Sequence, residues 1–210
     1  MTRRVPLLEA YRAAGAQTGE VYGTTTGLTL APTGRGLWLA DLTLLPKWLL
    51  VGGSAASAMR EAGMAVPALL RVLPGADAGF GACRAPRQYL VSAADATVPP
   101  PTLLNAACAL RHDCADFALG GGSGENGVAA LLAEASPTPR EDRAPGALIP
   151  TLCFGVEAAL WRCGPDAWRV LAAPADGDFL SAVLLDAVRE RHGALTGYRD
   201  FLGMPHAGAT

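Results

Sequence analysis

Apolar positions along the chain fall into short runs, and their spacing predicts strands interleaved with helices. Leu7 to Ala16 has the spacing of a short helix, and Gly19 to Pro32, rich in Gly and Thr, has β character. Leu37 to Leu45 and Trp48 to Val51 are buried-strand runs parted by the breaker Pro46. After a turn at Gly52-Gly53, Ser54 is placed to cap a helix to about Ala62, and Gly63 stops it. Phe80 to Arg84 and Gln88 to Ser92 predict a hairpin around Ala85-Pro86-Arg87. Three prolines, Pro99, Pro100 and Pro101, mark Asp95 to Thr102 as an extended linker.

The second half uses the same grammar. Cys114 to Leu119 is a strand candidate, Gly120 to Gly127 a glycine-rich turn, and Val128 to Ala135 an apolar helix stopped at Ser136-Pro137. A polar loop, Thr138 to Pro145, precedes two long strands, Pro150 to Arg162 and Trp168 to Ala173, joined by a turn at Cys163-Gly164-Pro165-Asp166. Asp178 to His192 is an amphipathic helix, with Phe179, Val183, Leu184, Ala187 and Val188 assigned to its apolar side and Gly193 as its stop. Each half therefore reads Asp, strand, Gly-rich turn, helix, Pro. Asp41, Gly52-Gly53 and Pro67 in one half match Asp113, Gly121-Gly122 and Pro137 in the other. This predicts an α+β fold of two pseudo-repeated strand–helix–strand halves, residues 1–98 and 99–210, in one two-lobed unit.

Composition narrows the classes. The 210 residues are 50% hydrophobic and 17% charged, which is enough to bury a core and excludes a disordered chain. A net charge of -2 argues against nucleic-acid binding. The most apolar stretch, Gly36 to Ala58, is interrupted by Asp41, Pro46 and Lys47, so no membrane span is expected. Five scattered cysteines, Cys83, Cys108, Cys114, Cys153 and Cys163, suit reduced thiols and a cytoplasmic location. Of 17 cationic residues only Lys47 is lysine, so arginine clusters carry little weight as phosphate sites by count alone.

Several constellations could carry chemistry. Gly122, Gly124 and Gly127 match G-x-G-x-x-G between a strand and a helix, the setting for a pyrophosphate. Glu141 and Asp142 follow at roughly the required distance. The approach Ser136-Pro137-Thr138-Pro139-Arg140 cannot form the second strand such a site needs, and a plain strand-to-helix turn is the simpler reading. Cys108, His112 and Cys114 could offer metal ligands but lack a fourth partner, so no metal is expected. Ser123 lacks a nucleophile elbow because Glu125 replaces the last Gly, and His112, His192 and His206 complete no triad, so no catalytic residue is assigned. Arg111, His112, Asp113 and Asp116 form the densest polar cluster. They read either as an anion site or subunit contact, or as a turn whose Asp accepts backbone N–H groups. Trp38, Trp48, Trp161 and Trp168 lie on strand candidates as core or interface anchors.

The order of these motifs resembles the gamma subunit of heterotetrameric sarcosine oxidase, itself similar to the aminomethyltransferase (glycine-cleavage T-protein) fold. The likeness runs through His112-Asp113-Cys114-Ala115-Asp116, the Gly turn and Val128 to Pro137, then Gly146 to Arg162, Trp168 to Ala175 and the helix Phe179 to Gly193. In the first half, Leu39 to Pro46 followed by Gly52-Gly53, and Gln88-Tyr89-Leu90-Val91, are similar to elements of T-protein relatives. The resemblance implies an accessory, non-catalytic subunit of a multi-subunit N-methyl amine (sarcosine-type) oxidase or demethylase linked to folate and one-carbon metabolism. Larger oxidoreductase subunits would be its partners and would hold the flavin. No cofactor is assigned to this chain, and tetrahydrofolate stays open as a ligand of the complex. The acidic Gly-Gly-x-x-Asp-Asp motif of folate chemistry has no counterpart, since Gly120-Gly121-Gly122 is followed by Ser-Gly-Glu. The alternative is a stand-alone folate- or nucleotide-binding protein or one-carbon transferase using the Gly122 to Gly127 turn.

Overall fold

Alternating side chains let the central strands of this chain serve two cores, as Phe117 and Ala118 of one strand do. A computed structural model describes residues 5–30, 36–75, 79–92, 103, 108–137 and 144–204. The expected linker Asp95 to Thr102 and the loop residues 138–143 lie outside the described residues. The first half contributes β3 (Trp38–Asp41), β4 (Lys47–Val51), α2 (Ala55–Glu61), β5 (Val72–Pro74), β6 (Phe80–Ala85) and β7 (Gln88–Ser92). The second contributes β8 (Cys108–Arg111), β9 (Ala115–Gly120), α3 (Val128–Ala135), β10 (Ile149–Cys153), β11 (Val156–Gly164) and β12 (Ala167–Ala172). Ahead of these lie α1 (Leu8–Ala13) and a hairpin of β1 (Gln17–Val21) and β2 (Thr24–Thr29); α4 (Gly177–Glu190), β13 (Ala194–Leu195) and α5 (Tyr198–Leu202) follow.

The strands form two large sheets, ordered β10-β11-β12-β9-β3-β13 and β5-β6-β7-β4-β8. These orders expose the repeat. Replacing β8 by β3, β4 by β9 and β5-β6-β7 by β10-β11-β12 turns the second sheet into the first five strands of the other. Each half lends one strand to its sister's sheet, and both loans are antiparallel. The hydrogen bonds match too: Leu42 N–H donates to the Asp116 carbonyl and His112 N–H to the Lys47 carbonyl. Strand pairing makes Lys47 the counterpart of Asp116 and Asp41 the counterpart of Arg111. The expected match of Asp41 with Asp113 is therefore two residues out of step.

Helices cover the outer faces. Leu131 and Leu132 of α3 and Leu180, Leu184 and Val188 of α4 pack with Phe117, Leu160 and Val170 of the first sheet. On the other side α2 buries Ala55, Ala58 and Met59 against Trp48, Leu50 and Val91. Between the sheets, Phe80, Ala82 and Leu90 meet Cys114, Trp161 and Leu171. Several local expectations need correction. Pro150 to Arg162 is a hairpin, not one strand: Phe154 (φ 49°) and Gly155 (φ 81°) supply the two left-handed residues of a tight turn. Phe154 hides that turn from a sequence reading, because bulky residues seldom adopt the left-handed region. In α4 the buried stripe runs Leu180, Leu184, Val188, which leaves Phe179 55% exposed and Val183 half-buried. Ser54 holds the N-cap position of α2, but its side chain makes no capping bond.

Candidate functional site

The axis of the repeat is filled by charge. Lys47, the one lysine in the sequence, is fully buried, and so is its counterpart Asp116. Lys47 Nζ donates to Asp116 Oδ2 at 3.0 Å and to the carbonyls of Leu42 and Leu45 at 3.2 and 3.0 Å, which uses all three of its protons. Arg169 of β12 donates Nε to Asp116 Oδ1 at 3.1 Å and Nη2 to Oδ2. Its guanidinium lies 4.7 Å from the Phe80 ring centroid and 5.1 Å from that of Trp161. Burial by itself would raise the Asp116 pKa, but Arg169 and Lys47 outweigh it and hold the carboxyl below the usual range. Thr43 links this cluster to Asp41. Its hydroxyl accepts the Asp116 N–H at 3.2 Å, and its own N–H donates to Asp41 Oδ1 at 3.0 Å. Asp41 also accepts the Leu7 N–H at 3.0 Å, yet burial outweighs these donors and its pKa is raised.

The inter-sheet layer opens at one end. Phe80, Ala82 and Arg84 share a face of β6 by alternation; Glu157, Ala159 and Trp161 share one of β11. The Phe80 and Trp161 ends close the layer, with rings 4.8 Å apart. The Arg84 and Glu157 ends line a cleft of about 590 Å³, together with His112, Cys114, Thr151 and Asp176. Arg84 Nη1 donates to His112 Nε2 at 3.3 Å. A guanidinium only donates, so this imidazole nitrogen accepts and the ring is neutral. Burial, then Arg84 and Lys47, push the His112 pKa down. Cys114 beneath is buried, and burial raises its thiol pKa despite the nearby cations. The Cys153 thiol is pushed up to about 12 in the same way. These groups can bind and orient a charged ligand, but neither thiol is activated as a nucleophile.

The structure thus unites His112 and Cys114 in one cleft, while Arg111 and Asp113 are outside its lining and lie 4.0 Å from each other. Asp116 belongs to the buried cluster behind it. Cys108 lies on β8, its side chain outside the described residues, and among the described residues no group of three metal-binding side chains occurs. Arg84 and Glu157 were missed, although the alternation from Phe80 and Trp161 carried the signal. The glycine turn closes on itself. Gly122 has φ +67°, and a Cβ there would stand 2.4 Å from the Asn126 carbonyl oxygen; Val128 N–H donates to the Gly121 carbonyl. That packing accounts for Gly122 and also for Gly127, whose Cβ would crowd Ser123; Gly124 (φ +59°) has open space beside it. His192 ends α4 with φ 56°, and His206 lies outside the described residues. The tryptophans, expected as core or interface anchors, contribute to the chain's own packing. Trp48, Trp161 and Trp168 are buried in the chain's own cores, and Trp38 is half-buried against Phe201. Among the described residues, the large apolar side chains left exposed are Leu69, Leu70, Leu110, Leu152 and Phe179.

No family model and no curated protein matches the sequence. Solved structures do match. A chain of heterotetrameric sarcosine oxidase from Corynebacterium sp. U-96, solved in complex with pyrrole 2-carboxylate, superposes with a TM-score of 0.68 at 22% identity, over 91% of this chain and 97% of that one. The two chains share one fold. Glycine cleavage system aminomethyltransferase T from Bartonella henselae also superposes with a TM-score of 0.68, at 18% identity over 96% of this chain. This chain spans only 62% of that enzyme's length. The mixed α+β architecture of two exchanged halves is thus the aminomethyltransferase-like fold. No described helix is long and apolar enough to cross a membrane.

Proposed function

We propose that this chain is an accessory subunit of a hetero-oligomeric amine oxidase or demethylase acting on N-methyl amines, with flavin held by larger partner subunits. The observation that carries this reading is the two-way coverage of the sarcosine oxidase match. More than nine-tenths of each chain aligns, so the two are nearly equal in size and one is a component of a heterotetramer. The exposed large apolar side chains among the described residues, such as Leu69, Leu110 and Phe179, support it, since such groups are covered when subunits meet. The role assigned to the chain is assembly and shaping of the complex, not chemistry.

Purification of the tagged chain from its source cells tests the proposal. The expected product is a stoichiometric complex with the visible absorbance of flavin and oxygen uptake dependent on an N-methyl amine. Recovery of the chain alone, without flavin, overturns it.

A further inference from the structure

We propose that the mouth between the two sheets binds a small dipolar molecule, with an anionic group such as a carboxylate at one end and an ammonium-type cation at the other. This goes beyond a role in assembly, because the site lies within this chain and needs no partner to complete it. Three charged side chains define it. Arg84 reaches the cleft from β6 of one sheet, Glu157 from β11 of the other, and Asp176 from the turn before α4. Among the described residues neither carboxylate takes part in a salt bridge, and the partner of Arg84 is the neutral acceptor His112, which leaves its charge uncompensated.

An ion pair across the mouth would close it. Instead the charges stand apart around a cavity of about 590 Å³, within the range of about 300–1,000 Å³ typical of small-molecule sites. Small side chains, Ala159 and Ala173 among them, keep it open. The polarity of the cleft also has a source behind it. The buried cluster sets two cations, Lys47 and Arg169, against the one carboxylate of Asp116, and Lys47 is near enough to depress the His112 pKa. That excess lies toward Arg84 and His112, while Glu157 and Asp176 make the remaining wall acidic. A singly charged ligand would satisfy one wall and face the other unpaired. A zwitterion satisfies both.

Calorimetric titration of the full chain tests this, with ω-amino carboxylic acids of graded length from glycine to ε-aminohexanoate as rulers. Propionate and propylamine serve as singly charged controls. One zwitterion is expected to bind at least about tenfold more tightly than either control. Arg84→Gln and Glu157→Gln should each reduce that affinity to the level of the controls. Both side chains are exposed, so the thermal midpoint should not move. Should either variant fold poorly, Asp176→Asn, which removes a charge from the same acidic wall, carries the comparison and should weaken zwitterion binding. The proposal is overturned if no zwitterion saturates the protein below about 10 mM. It is equally overturned if propionate binds as well as the best zwitterion, which would mark a simple anion site, or if the variants bind as wild type does. Failure here leaves the subunit reading standing, because that reading rests on co-purification.

Discussion

Replacing Asp116 by alanine should be among the most damaging single changes in this chain. The carboxylate accepts from Lys47 Nζ at 3.0 Å and Arg169 Nε at 3.1 Å, and all three side chains are at most 2% exposed. Without it, two cations remain in the interior facing each other. Removing one partner of a buried ion pair costs about 3–5 kcal/mol, and here a single anion serves two cations, so the loss should reach the upper part of that range. The origin of the loss can be separated from simple cavity formation. Lys47→Met, Asp116→Leu and Arg169→Met combined remove every charge and keep the volume. That triple variant still gives up the contacts of Arg169 with Phe80 and Trp161, about 1–2 kcal/mol, but should lose less than Asp116→Ala alone. Urea unfolding followed by both tryptophan fluorescence and far-UV circular dichroism measures the difference and checks two-state behaviour. Acid supplies an independent reading. A depressed folded-state pKa adds stability that is full above the unfolded value, about 3.9, and is lost as pH falls through the folded value. Asp116→Asn, which cannot titrate, should therefore flatten the stability–pH curve below about pH 4. An Asp116→Ala loss under about 1 kcal/mol, or a triple variant less stable than the single one, refutes the reasoning that the loss comes from leaving two buried cations uncompensated.

Three further outcomes are expected. Tyr11→Phe removes a hydroxyl that donates to the Thr196 carbonyl and accepts the Asp41 N–H, each at 2.9 Å, and should cost about 1–3 kcal/mol by chemical denaturation. Gly122→Ala combines a left-handed backbone with a Cβ set 2.4 Å from a carbonyl oxygen and should cost at least about 2 kcal/mol, whereas Gly124→Ala, left-handed but in open space, should cost about 1 kcal/mol. Leu184→Ala should cost about 2–5 kcal/mol and Phe179→Ser within about 0.5 kcal/mol, a contrast that thermal unfolding resolves directly.

Much of the fold was legible because local signals were strong. Val128–Ala135 begins after glycine and stops before Ser-Pro, and the helix has those bounds. The hairpin through Pro86-Arg87 was announced by its turn residues, and the doubled Asp–strand–glycine–helix–proline order pointed to the repeat. The exchange of β3 and β8 between sheets was not legible, since strand partnership depends on contacts far apart in the chain. The charged interior left one clue. A lone lysine beside an apolar run, in a chain that otherwise uses arginine, asked for a buried anion, and only the register of β4 against β8 and β9 against β3 names Asp116. The cleft was half visible: His112 and Cys114 stood out by type, whereas Arg84 and Glu157 required the phase of two strands and the stacking of two sheets. The tryptophans were legible only as core or interface anchors, because large amphipathic rings suit either place, and burial of Trp48, Trp161 and Trp168 fits the first of these.

Native mass spectrometry of the tagged chain, purified under mild conditions from its source cells, tests the central claim most directly. The account predicts a discrete assembly far heavier than the 21.5 kDa of this chain, in which it is bound in fixed ratio to a flavin-carrying oxidoreductase subunit. A single species at 21.5 kDa contradicts it.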